Sequence, residues 1–195
     1  SDSIPYKFRT AIRLFEDEYF NYHPGFNPLS LLRAFRQNWE STKVKSGGST
    51  ITMQLIRISR RKKRTYRQKF IELILALKIE LKYSKKEIFS LYAANAPFGG
   101  NVVGLEAASW RYYGRSPHLL SWAEAATLAV LPNAPSLIYP GKNQIKLLKK
   151  RDFLLKKLYT KNYIDKTQYD LSLEEPLPQK PLRLPQNANH LLQFL

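Results

Sequence analysis

Cysteine is absent from this 195-residue chain, which excludes disulfides, thiolate metal sites and a cysteine nucleophile. Histidine is scarce, and His23, His118 and His190 lie far from any metal-ligand spacing. No run of about 18 uncharged apolar residues occurs, so the sequence holds no bilayer-spanning helix. It opens without a signal-peptide pattern; an export signal or anchor on a longer chain is compatible with that opening. Acidic residues are also few, 15 against 32 Lys and Arg, for a formal charge of +17. Such an excess favours anionic partners: nucleic acid, an acidic membrane surface or a phosphorylated substrate. What is abundant is apolar: 44% hydrophobic and 13% aromatic residues mark a folded globular chain. The length suits one core better than two.

Helical periodicity dominates, and no strand pattern stands out. Phe8, Ala11, Ile12, Phe15 and Tyr19 predict a first amphipathic helix after Pro5, ended by Pro24-Gly25. A second is expected from Pro28 to Trp39. The polar stretch Ser41 to Thr50 reads as a loop entering a helix over Ile51 to Ile58, with Ser49 or Thr50 as N-cap. The longest helix is expected from about Arg64 to Tyr83, with Phe70, Leu73, Ile74, Leu77 and Leu81 as its buried stripe. Ser84-Lys85-Lys86-Glu87 and Ser121-Trp122-Ala123-Glu124 have capping-box spacing. Further helices are expected over Leu105 to Tyr113, Ala125 to Leu131 and Ile145 to Tyr159. After Leu173 the prolines crowd into an extended tail. The expectation is one mainly α domain over residues 1–173, with a Pro-rich linker over 174–195.

Four clusters carry chemistry. Glu16 follows Phe15 at the edge of the first apolar stripe, near a helix C-terminus. Partial burial and the helix dipole both raise a carboxyl pKa there, as suits a general base; a solvated acidic helix end has the same spacing. Gly47-Gly48-Ser49-Thr50 opens a hydroxyl-rich helix start able to face an anion, or simply an N-cap. Arg57, Arg60, Arg61, Lys62, Lys63, Arg64, Arg67 and Lys69 form a basic run suited to diphosphate or a nucleic-acid backbone. Lys69 and Glu72 share a helix face at i,i+3, the spacing of a surface pair as well as of an orienting one.

In their order these clusters resemble glycosyltransferase family 51, the peptidoglycan glycosyltransferase domain of class A penicillin-binding proteins. Glu16-Asp17-Glu18-Tyr19-Phe20-Asn21-Tyr22-His23-Pro24-Gly25 is similar to the family's E-D-x-x-F-x-x-H-x-G motif. Gly47 to Leu55 is similar to G-G-S-T-I-T-x-Q-L, and Lys69 and Glu72 fall on its K-x-x-E positions. Leu91 to Gly114, and Glu124 through Pro135, Ser136 and Pro140, resemble its last two motifs. Met53, Ala96 to Gly100 and Leu131 to Ser136 look most like the family's 1C subtype.

The resemblance implies a lysozyme-like mainly α fold and polymerisation of lipid II with a growing glycan chain as donor. It implies Glu16 as general base. Glu72 would be a second catalytic carboxylate, orienting the diphosphate-binding groups or holding a divalent ion, Mg or Mn. Asp17, Gly48, Ser49, Thr50, Gln54, Arg57, Arg64, Lys69 and Ser136 would bind substrate. No cofactor is required beyond that optional ion. The implied setting is the extracytoplasmic face of the cytoplasmic membrane, with an anionic membrane surface and a transpeptidase domain as partners. Two positions depart from the family pattern: Arg57 stands where many members have Lys, and Gln68 where several have a basic residue. Other readings of the residues are a lysozyme-like lytic enzyme and a basic anion-binding module. No nucleic-acid-binding signature accompanies the charge, so nucleic acid is not the expected partner.

Overall fold

A computed structural model describes residues 4–28, 48–60 and 65–182. The helix expected from Pro28 to Trp39, nearly all of the loop before Gly48, Arg64 and the tail beyond residue 182 lie outside the described residues. The described residues form eight α-helices: α1 (Tyr6–Glu16), α2 (Ile51–Arg60), α3 (Tyr66–Lys82), α4 (Lys85–Asn95), α5 (Leu105–Tyr113), α6 (Trp122–Val130), α7 (Gln144–Thr160) and α8 (Lys166–Glu174). Among the described residues there is no strand, only isolated bridges at Pro97–Val103 and Tyr139–Lys142. The mainly α expectation therefore holds.

Local chemistry sets the helix starts. Both expected capping boxes form, Ser84 with Glu87 and Ser121 with Glu124, and Asp165 with Gln168 adds a third. Each pairs two otherwise orphaned donors. Thr50 caps α2, its Oγ1 accepting from Met53 N at 3.2 Å. Gly114, in left-handed conformation, closes α5.

The core is built around α6, every residue of which is buried. Its alanines, Ala123, Ala125, Ala126 and Ala129, let α1 and α7 approach closely, and these are its main neighbours. Phe8 and Ile12 of α1, and Leu147, Leu154, Leu155 and Leu158 of α7, are almost wholly buried. α8 covers α7, with Tyr159 and Tyr169 stacked at 5.0 Å. A second layer consists of α2 packed on α3 and α4. Gly25 joins it to the turn after α1: at φ +90° its Cα approaches so closely that a Cβ would lie 2.8 Å from Ala76 O of α3. Only glycine fits there.

Two expectations are corrected. The first helix stops at Glu16 rather than running on to Pro24-Gly25, and Tyr19 is 57% exposed. The apolar stripe of the longest helix does not face the core. Phe70 is 65% and Leu81 90% exposed, whereas Glu72 and Ala76 are buried. α3 turns this line inward because its carboxylates find cations on neighbouring helices: Arg57 for Glu72 and Lys85 for Glu80. Residues 175–182, the start of the expected Pro-rich linker, carry no helix and are bound to the domain. Leu177 is buried, Gln144 Nε2 donates to Pro178 O at 2.7 Å, and buried Arg151 donates to Glu175 O at 2.5 Å. Leu182 N donates to Arg111 O at 2.7 Å. A proline-rich segment lacks many N–H donors, so its carbonyls become the anchors.

Candidate active site

Glu16 is the last residue of α1, where the helix axis ends in negative partial charge. Its Oε2 accepts from Gln54 Nε2 of α2 at 2.7 Å. Its Oε1 is buried and makes no hydrogen bond. Tyr92 of α4, wholly buried, donates its hydroxyl to Gln54 Oε1 at 3.3 Å. That contact takes the acceptor end of the amide and turns the NH2 toward Glu16. Burial raises the Glu16 pKa; the Gln54 hydrogen bond, the Lys150 charge and the Asn133 side chain oppose this, and Asp17 adds to it. Burial likewise holds the Tyr92 phenol well above its usual range, with the Glu16 charge reinforcing it. Tyr92 thus remains a neutral donor.

A second carboxylate lies one turn further along α2. Arg57 Nε donates to Glu72 Oε1 at 3.1 Å, and Nη2 to Glu72 Oε2 at 2.8 Å. Nη2 also donates to Ser49 Oγ at 3.0 Å. The fork is bidentate, and both Glu72 oxygens are taken. Gln54 and Arg57 stand three residues apart on one face of α2, so the Glu16 carboxyl and the guanidinium are neighbours along it. Lys69 lies half-buried on α3, one turn before Glu72.

Other motif residues serve the framework. Asp17, 7% exposed, accepts from Ile51 N, the first amide of α2, at 3.0 Å and from His23 Nε2 at 2.9 Å. It caps α2 from outside the helix, where a negative charge meets the positive helix end. Asp17, also expected on the substrate, has a protein donor on each of its oxygens. Thr50, also expected there, is buried with its hydroxyl donating to Gly25 O at 2.6 Å. Lys85 donates to Glu80 Oε1 and His23 O, both at 2.7 Å, and Thr52 donates to the same Glu80 oxygen at 2.6 Å. These bonds tie the turn after α1 to α2, α3 and α4.

Gly48, at φ +50°, and Ser49 lead into α2 beside Arg57. Ser136 is exposed in the 131–136 turn, its carbonyl accepting from Lys142 Nζ at 2.9 Å. Arg64 lies outside the described residues. Two residues absent from the expected site act on Glu16, both lowering its pKa: Lys150 by its charge and Asn133 by its side chain. Their signal in the sequence is masked, one by a proline-rich turn, the other by a helix full of lysines. For the optional divalent ion, no group of three His, Asp or Glu side chains converges among the described residues. Glu72, the expected ligand of that ion, has each oxygen in the Arg57 fork.

The transglycosylase family model matches residues 1–159, from α1 almost to the end of α7. The chain belongs to the transglycosylase family. Penicillin-binding protein 1C of Escherichia coli (strain K12) is 40% identical over 187 residues, covering 96% of this chain and 24% of that protein. Penicillin-binding protein 1A of Aquifex aeolicus (strain VF5) is 36% identical over 180 residues, covering 92% of this chain and 25% of that protein. The crystal structure of penicillin-binding protein 1A from Haemophilus influenzae matches 74% of this chain and 19% of that one, at 22% identity and a TM-score of 0.44. This transglycosylase chain therefore spans about a quarter of the length of these two relatives. The matched segment contains Glu16, Gln54, Arg57, Glu72, Tyr92, Asn133 and Lys150.

Proposed function

We propose that this transglycosylase polymerises lipid II into β-1,4 glycan strands, with Glu16 as general base. The observation that carries the reading is the state of Glu16: one carboxyl oxygen held by Gln54, the other buried and unpartnered. A base needs a fixed carboxylate with a lone pair to spare. Burial raises the pKa of this carboxyl, and the amide donor on Oε2 opposes that shift, acting to keep the ionised form available. In the proposed step, Oε1 takes the proton of the acceptor's N-acetylglucosamine 4-hydroxyl. That oxygen bonds to the anomeric carbon of the donor's N-acetylmuramic acid. The bond from this carbon to the diphosphate oxygen breaks, its electron pair leaves with the undecaprenyl diphosphate, and the configuration inverts.

The leaving group gains negative charge as this bond breaks. Cations held in place before the reaction stabilise that charge without having to reorganise. Arg57, kept in a fixed plane by Glu72 and Ser49, is such a group one turn from Glu16. Lys69, Arg64 and the Gly48-Ser49 entry to α2 complete the proposed diphosphate contacts. In the longer proteins of the family we place this domain on the extracytoplasmic side of the cytoplasmic membrane, its excess positive charge toward anionic lipid and a transpeptidase domain beyond. No helix among the described residues is long and apolar enough to cross a membrane.

The test is glycan polymerisation from lipid II in detergent. Wild type is expected to form polymer and Glu16→Gln none, with both folded by circular dichroism. Equal polymer from both proteins would overturn the assignment of the base.

A further inference from the structure

Lys150 is marked by no motif and is unused by the chemistry above. It comes from α7, beyond the resemblance to the family's motifs. Its ammonium donates to Asn133 Oδ1 at 2.6 Å and lies over the Phe15 ring, 5.8 Å from the centroid. The Asn133 side chain in turn faces the Glu16 carboxyl. An amide has one acceptor end and one donor end. With Oδ1 on the ammonium, the end left for Glu16 is the NH2.

We propose that Lys150, acting through Asn133, is a positioning residue for Glu16: it locks the Asn133 amide donor-first against the carboxyl and places a positive charge beside it. The inference rests on the reading of Glu16 as the base. The arrangement repeats the one on the other side of the carboxyl. There Tyr92 holds the acceptor end of Gln54 and leaves its NH2 to Glu16. Two amides, from α2 and from the 131–136 turn, thus each have the acceptor end taken by a neutral or cationic donor and the NH2 end left for one carboxylate; Gln54 bonds Oε2, and Oε1 keeps its lone pairs. Without Lys150 the Asn133 amide is free to flip, and its oxygen would repel the carboxylate.

The charge has its own effect. Burial drives Glu16 toward the neutral form, in which it is no base; Lys150 acts in the opposite sense. Burial also disfavours the Lys150 charge, and Glu16 restores it. The other ionisable groups facing this carboxyl are Asp17 beside it in the chain, Tyr92 of α4, and the Arg57–Glu72 pair one turn along α2. Asp17 is committed to α2 and His23, and Glu72 neutralises Arg57. Among the described residues, Lys150 is the cation whose charge acts on Glu16 to lower its pKa.

The experiment compares wild type with Lys150→Met, Lys150→Arg and Asn133→Ala in lipid II polymerisation across pH. Lys150→Met is expected to lower kcat near neutral pH by about tenfold or more, with KM little changed, and to move the acid limb of the kcat profile to higher pH. Lys150→Arg should restore the limb. Asn133→Ala combined with Lys150→Met should cost less than the two single effects added, because they act in series. A loss of activity with the limb unmoved, matched by a fall in Tm, would make Lys150 structural and overturn the inference. Should wild type form no polymer, the reading of Glu16 as base fails first. Titration of the Glu16 carboxyl by carbon NMR still decides this inference: a midpoint raised in Lys150→Met supports the coupling, and an unmoved midpoint removes it.

Discussion

Glu16 and Glu72 touch the same helix, α2, one turn apart, yet the fold treats them in opposite ways. Glu72, 6% exposed, has both oxygens in a bidentate fork with Arg57. Glu16 has one oxygen held by a neutral amide and the other left bare inside the protein. The first carboxylate is saturated and spends its charge fixing a cation. The second is under-satisfied, which costs stability and leaves a lone pair for chemistry. A buried polar atom without a partner is expensive, so its persistence beside a paired twin points to use rather than to chance.

The contrast breaks most sharply on Glu16. Glu16→Gln should lower kcat by about a hundredfold or more, the scale of general-base catalysis, with folding unharmed. The same variant tests the cost of the bare oxygen. Burial raises the folded pKa of Glu16 above that of the unfolded chain. The folded state therefore prefers the proton, and the penalty is absent below the unfolded pKa and grows as pH rises through the folded one. Urea midpoints should thus show Glu16→Gln gaining on wild type at pH 7 and close to it near pH 3.5.

Glu72→Gln should act in the reverse direction. It leaves Arg57 partly unpaired, and because that guanidinium is partly exposed the loss should be about 1–3 kcal/mol, below the full cost of breaking a buried pair. Urea denaturation reads the stability, and a raised KM for lipid II would mark the loosened cation. Asp17→Asn sharpens the point from the framework side. It should lower Tm by several degrees, about 1–2 kcal/mol for a lost charge-assisted cap on α2, while the KM of the folded fraction stays near wild type. The smallest effect belongs to Tyr92→Phe. Removing one hydroxyl that orients Gln54 should cost kcat between about twofold and tenfold, a single hydrogen bond's worth, with KM unchanged.

Much of this was legible in the chain itself. The capping boxes at Ser84 and Ser121 and the helix start at Thr50 follow from local hydrogen-bond chemistry, and each forms. Glu16 at a helix end on the rim of an apolar stripe is also a local property. The inward face of α3 was not legible. Its sequence carries two candidate lines, Phe70-Leu73-Ile74-Leu77-Leu81 and Glu72-Ala76-Ile79-Glu80, and hydropathy selects the wrong one. Buried carboxylates win only because Arg57 and Lys85, distant in sequence, stand opposite them.

The roles within the site divide on the same ground. Asp17 looks like a substrate ligand from its place beside Glu16, and its actual partner Ile51 N lies 34 residues away. Lys150 looks like one lysine among many on α7 until Asn133 meets it across a turn. Residue type, spacing and helix-end chemistry by themselves set the mainly helical fold, the family and the place of Glu16 at a helix end, because these depend on neighbours within a few positions. The orientation of α3, the commitment of Asp17 and Thr50 to the framework, and the two pinned amides around Glu16 were decided only by the tertiary structure. Each depends on a partner charge or hydrogen-bonding group far away in the chain, and no local pattern encodes which distant group will arrive.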